Sequence, residues 1–110
     1  MAFQRGDVVL VPFPFTDLSA RRVRPAVVVS TAEHEQQTGD IIVAQITGKQ
    51  RNLPTDYPLQ DWQAAGLLRP SIVRAKLATL SASLVQFRTG RLSDRDMKEV
   101  DSRLRLALGL

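Results

Sequence analysis

Apolar residues in this chain come in short, β-branched runs, each stopped by proline, glycine or a polar turn, and that pattern limits the fold to one built on short strands. In "GDVVLVPFPF" (6–15), Val8, Val9 and Val11 form a strand that Pro12 and Pro14 end or confine to an edge. "PAVVVS" (25–30) is a buried strand bounded by proline and serine, and "IIVAQIT" (41–47) is the most apolar of the set. "SIVRAKLATL" (71–80) alternates imperfectly and predicts a fourth long strand. Short strands are expected near Thr55–Leu59 and within "QFRTGRLS" (86–93). The connections "TDLSARR", "TAEHEQQTGD" and "GKQRNLPTD" are polar, the second ending in a Gly39-Asp40 turn. One helical turn is expected at Asp61–Ala65, stopped by Gly66, and another single turn at "SASLV".

A single long helix closes the chain. In "SDRDMKEVDSRLRLALGL", Ser93 is placed as N-cap, with Asp96 at the capping-box position. Met97, Val100, Leu104, Ala107 and Leu108 recur at three- and four-residue steps and define one apolar face. Asp94, Asp96 and Glu99 early, with Arg103 and Arg105 late, complement the helix dipole. The pattern predicts a mainly β domain over residues 1–110: a small, strongly bent antiparallel sheet or partial barrel with a C-terminal helix packed on it.

Several kinds of chemistry lack their residues. The 110 residues include no cysteine, so there is no disulfide framework, thiolate nucleophile or cysteine zinc site. His34, the one histidine, reads as a solvated residue of a polar connection, with no second histidine to share a metal. No metal and no cofactor is expected, and neither a phosphate-binding glycine loop nor a dinucleotide fingerprint is present. Arg5 and Asp7 interrupt any signal sequence, and no apolar run is long enough to span a bilayer. A cytoplasmic protein with no membrane partner is expected. The net charge is +4, and 12 of the 15 basic residues are arginine, whose planar fork suits phosphate.

The position of the arginines matters more than their number. Arg24 precedes Pro25, which biases its backbone to extended geometry at the start of a buried strand. Thr47 ends the next strand. If those strands are antiparallel neighbours, Arg24 and Thr47 share one rim of the sheet, a guanidinium beside a hydroxyl. Two readings stand open on pattern alone: a phosphate-recognising pair, or an arginine paired with a surface carboxylate beside a threonine that simply finishes a strand.

"RGDVVLVPFPFTDLSARRVRPAVVVS" closely resembles the opening of the MazF/PemK family of toxin endoribonucleases. "IIVAQIT" is similar to that family's strand ending in an active-site threonine, and "GLLRPSIVRAKLATL" to its later segment with a Pro-Ser or Asp-Ser pair. The resemblance runs from Arg5 to the terminal helix. It implies an SH3-like, CcdB-like antiparallel β-barrel with a C-terminal helix, assembled as a homodimer. It implies metal-independent cleavage of single-stranded RNA and control by a cognate antitoxin protein. Arg24 matches the family's catalytic arginine and Thr47 its catalytic threonine.

Ser19, Arg21 and Arg22 in the first loop, and Lys49 and Arg51 in the loop after Thr47, are candidate RNA contacts. Ser71 is a further candidate from the matching later segment. Many relatives carry an acidic residue in the first loop, where this chain has "LSARR" and Asp17 is the nearest acid. That departure leaves the general base unassigned. Two other functions remain alternatives: a CcdB-like gyrase poison, a class that depends on a tryptophan near the C-terminus where this chain has "LALGL", and an RNA-binding module that does not cut. Trp62 is expected to pack rather than stack on bases.

Overall fold

The computed structural model describes residues 2–13 and 22–110. Six strands, β1 (Asp7–Pro12), β2 (Val23–Val28), β3 (Asp40–Thr47), β4 (Tyr57–Pro58), β5 (Ile72–Ser81) and β6 (Phe87–Arg91), form one sheet in the order β4-β5-β3-β2-β1-β6. Every pairing is antiparallel. The sheet curls into a half-barrel, and α2 (Asp94–Leu108) packs against one face. The expected mainly β architecture with a C-terminal helix is therefore the observed one. Among the described residues no helix is long and apolar enough to cross a membrane.

The apolar runs of β1 to β3 have a physical cause. Side chains alternate between the two faces of a strand, and here both faces are covered. Val8, Val27, Ala44 and Ile46 pack with Tyr57, Leu59, Leu92 and Val100 under α2. Their neighbours Val9, Val11, Ala26, Val28, Ile41 and Val43 form a second cluster with Phe13. Each fully buried valine or isoleucine contributes about 1.5–3 kcal/mol, so the central strands hold most of the packing energy.

The two edge strands, β4 and β6, do not pair with each other. The gap between them is closed by the predicted turn at Asp61–Ala65, where the Ala65 amide donates to the Asp61 carbonyl at 3.2 Å and Gly66 takes φ +81°. This turn sits directly on β6. A Cβ on Gly66 would lie 2.3 Å from the Thr89 carbonyl oxygen, and one on Gly90 would lie 2.5 Å from the Ala65 carbonyl oxygen. The Thr89 hydroxyl donates to that same Ala65 carbonyl at 3.2 Å. Two residues without side chains thus let a turn and a strand meet backbone to backbone. Trp62, as expected, packs against the core beneath α2.

Two local expectations are corrected. "TAEHEQQTGD" is not an irregular connection but a helix, α1 (Ala32–Thr38), so His34 lies on a helix. Thr31 caps it by accepting from the His34 amide at 3.1 Å, Glu33 and Glu35 occupy the first turn, and Gly39 ends it. Asp96 is not the reciprocal half of a capping box. Ser93 does cap α2, accepting from the Asp96 amide at 3.3 Å. The Asp96 carboxylate, fully buried, instead accepts from the Tyr57 hydroxyl at 2.6 Å and from the Gln60 and Asp61 amides at 3.1 and 2.8 Å. It ties the helix start to the strand and turn beneath it.

Candidate functional site

The strand register bears on the Arg24–Thr47 pairing. β2 and β3 are antiparallel neighbours with Ala26 opposite Gln45 and Val27 opposite Ala44. Continued two residues past that pairing, the same register brings Arg24 to the level of Thr47. Arg24 is also opposite Val11 of β1, and Thr47 opposite Ile72 of β5, so the pair belongs to one rung of the sheet.

Both residues line a cleft of about 770 Å³ at this end of the sheet. Its basic residues are Arg24, Lys49, Arg69, Arg74 and Lys76, and no carboxylate or histidine among the described residues lines it. Hydroxyls come from Thr47, Ser71 and Thr89. Its walls are held in place by short-range bonds. Thr47 Oγ1 accepts from the Lys49 amide at 3.2 Å, which fixes the threonine rotamer and the turn after it. Ser71 is buried, and its hydroxyl donates to the Arg69 carbonyl at 2.8 Å. The stem of Arg69 lies over Gly48, where a Cβ would come within 2.6 Å of Arg69 Cδ. The bare glycine next to Thr47 makes room for a cation beside it.

A break in strand pairing adds two further cations. Between β3 and β5, Ala44 is opposite Leu77 and Ile46 opposite Val73. Gln45 alone therefore faces Arg74, Ala75 and Lys76, a bulge of the kind that re-aims side chains beside functional sites. Gln45 and Arg74 both line the cleft, and the buried atoms Gln45 Oε1 and Arg74 Nε make no hydrogen bond. Among the described residues no group of three or more histidine, cysteine, aspartate or glutamate side chains is gathered to hold a metal ion.

The other candidates divide. Lys49 and Ser71 line the cleft with Arg24 and Thr47. Arg51 does not. Its guanidinium forks onto Asp56, Nε to Oδ2 at 2.8 Å and Nη2 to Oδ1 at 2.9 Å. Asp56, almost fully buried, is held below the usual carboxylate range first by that hydrogen bond, against the opposing effect of burial. Arg51 thus braces the loop before β4. Arg22 is exposed and outside the cleft lining. Ser19, Arg21 and the nearby Asp17 lie outside the described residues. The cleft residues that sequence reasoning did not single out are Arg69, Arg74, Lys76, Gln45 and Phe87. Only the fold gathers them.

Comparison with known proteins agrees with the geometry. Residues 4–108 match the family model of the PemK-like, MazF-like toxin of type II toxin–antitoxin system. An endoribonuclease MazF of Staphylococcus saprophyticus is 27% identical over an alignment covering 97% of this chain and 92% of that protein. Among solved structures, an endoribonuclease in complex with its cognate antitoxin from a mycobacterial species superposes with a TM-score of 0.84 at 23% identity, covering 99% of this chain and 97% of that one. MazF from Deinococcus radiodurans superposes with a TM-score of 0.81 at 21% identity, covering 100% and 99%. These two share the fold, and the family match extends over nearly all the residues that build it. The chain belongs to the PemK-like, MazF-like toxins of type II toxin–antitoxin systems.

Proposed function

We propose that this toxin is an endoribonuclease that cuts single-stranded RNA through the RNA's own 2′-hydroxyl, arresting translation and growth in the cytoplasm. The observation that carries the reading is the cleft itself: five cations with no carboxylate among the described residues, and Arg24 laid beside Thr47 on one rung. Such a cleft attracts a polyanion and holds its phosphates against a rigid floor.

The chemistry asks little else of the protein. The nucleophile belongs to the substrate, so the site needs to align it and stabilise the charge that builds on the phosphorane. Arg24 neutralises the non-bridging oxygens, a role that suits a guanidinium charged at every working pH. Thr47 donates a hydrogen bond to a phosphate oxygen. Lys49 and Arg69 hold the phosphates on either side. The 2′-oxygen bonds to phosphorus as the bond to the 5′-oxygen breaks, with solvent water taking the 2′-proton and returning one to the 5′-oxygen; the products are a 2′,3′-cyclic phosphate and a 5′-hydroxyl, and DNA survives because it lacks the nucleophile. The antitoxin is an acidic chain that lies across the same cations and excludes RNA. The solved relative in complex with its cognate antitoxin supports this partner, and in this reading the toxin works as a homodimer.

One observation favours a second reading, an RNA-binding module without catalysis: no carboxylate or imidazole among the described residues lines the cleft to act as base. Incubating the protein with a long RNA in EDTA, beside Arg24→Ala and Thr47→Ala variants, decides between them. Specific cuts that Arg24→Ala abolishes support the endoribonuclease. RNA that is retarded on a gel and never cut supports the binding module. Intact RNA together with blocked gyrase supercoiling would mean a gyrase poison.

A further inference from the structure

The cleft has a second half that phosphate chemistry does not use. Phe87 lines it, at the start of β6, with 62% of its surface exposed. Solvent exposure of a large aromatic ring needs a reason when the remaining side chains of its row are apolar. That row can be read from the register. Phe87 is opposite Leu10, Leu10 is opposite Pro25, and one step along the β2–β3 register Pro25 adjoins Ile46. Residues opposite one another in an antiparallel sheet share a face. Phe87, Leu10, Pro25 and Ile46 therefore make a continuous apolar floor across four strands, and all four line the cleft. Leu68, 94% exposed, lines the cleft as well.

The floor is one rung from Arg24 and Thr47, whose side chains alternate to the other face of the sheet, and the two rows meet where both line the cleft at this end of the sheet. Neighbouring strands are about 4.8 Å apart, so the backbones at Phe87 on β6 and Arg24 on β2, two strands away, are about 10 Å apart. A ligand with a charged backbone and flat apolar side groups spans both halves at once. Single-stranded nucleic acid has that make-up, and grooves that bind it combine cations along the backbone with aromatic rings on which unpaired bases stack. We infer that Phe87, supported by Leu10 and Pro25, is a stacking platform for an unpaired base near the scissile phosphate of the RNA. The inference rests on the endoribonuclease reading and adds the place where a base is held. It is a binding contact, made equally in the ground and transition states, so it acts on KM more than on kcat.

The test pairs protein and RNA changes. A short cleavable RNA is prepared intact and with single abasic sites on each side of the cut. Its binding is measured to the Arg24→Ala protein, which holds RNA without cutting it, with and without a second change, Phe87→Ala or Phe87→Tyr. Expected are a loss of about tenfold or more in affinity with Phe87→Ala, a similar loss on removing one particular base, no further loss when both are absent, and recovery with Phe87→Tyr. In the cutting-competent protein, Phe87→Ala raises KM and leaves kcat nearly unchanged. Equal affinity of the Phe87→Ala and parent proteins for intact RNA overturns the platform while leaving the endoribonuclease reading intact. So does a Phe87→Ala protein that dissociates into monomers by sedimentation and binds RNA as before, because the ring then serves an interface. RNA that the wild type neither binds nor cuts overturns both.

Discussion

Two regions of the molecule treat polar groups in opposite ways. Beneath the start of α2, Asp96 and Asp61 are both fully engaged. Asp96 accepts three hydrogen bonds, and Asp61 accepts from the Ser93 hydroxyl at 2.6 Å and from Arg95 Nε and Nη2, both at 2.7 Å. At the cleft, five cations gather without a carboxylate among the described residues, and two buried polar atoms stand unbonded. A satisfied network resists unfolding. Clustered like charges cost stability, and a bound anion relieves that cost. The first region braces the fold, and the second gathers cations into one cleft.

This division breaks if Arg24→Ala, the largest expected effect, unfolds the protein instead of silencing it. RNA cleavage should fall by at least about 10²–10³-fold, while stability in urea stays within about 0.5 kcal/mol. Asp96→Ala should do the converse. The buried Tyr57 hydroxyl and two partly buried amides lose their acceptor, for about 3 kcal/mol of stability. Cleavage per folded molecule should be unchanged, and a matched loss of activity would show that the two regions are coupled.

Titration sharpens the contrast. The Tyr57 phenol is pushed above its ordinary range, first by burial and then by its hydrogen bond to Asp96. The protonated form is the one the fold favours, so its contribution is complete below about pH 10 and is lost as pH rises beyond it. Asp61 shows the opposite sign. Its carboxyl is lowered to about 2 by hydrogen bonds from Arg95 and then Ser93. Its contribution is present above the usual carboxylate range and is lost as pH falls through about 2. Melting temperatures followed from pH 5 down to 2 should show a drop that Asp61→Asn diminishes. The smallest effect is in salt. Arg69→Ala should make the dependence of RNA affinity on log salt shallower by about 0.7, whereas Arg51→Ala, which loses the Asp56 brace, should leave that slope unchanged and lower stability.

Legibility in the sequence followed the range of the interaction. Strands whose two faces are both buried announce themselves as apolar runs, and β1, β2 and β3 were read that way; β5, largely half-buried or exposed, was read from its imperfect alternation. Arg24 and Thr47 were legible because one antiparallel pairing is enough to join them. Helix α1 carried its signals in Thr31 and Gly39, but with no buried residue on any face it lacked the apolar period that identifies a helix. Arg51 was misplaced because a charge in a loop does not reveal that its partner, Asp56, sits five residues on. Arg74, Lys76 and Phe87 reach the cleft through a bulge and through the pairing of β6 with β1, features of register that local sequence does not encode.

The backbone contact of Ala65 and Gly66 with Thr89 and Gly90 has a consequence for how such a protein can change. The turn it locks to β6 runs on into Leu67, Leu68 and Arg69, one lip of the cleft. Any side chain at either glycine would collide with backbone, so the course of the chain there is fixed. The lip's own side chains are under no such restriction: Leu68 and Arg69 are exposed. Substitutions along that lip can therefore alter what the cleft prefers while the frame beneath it stays the same, and new preferences can be explored without refolding the scaffold.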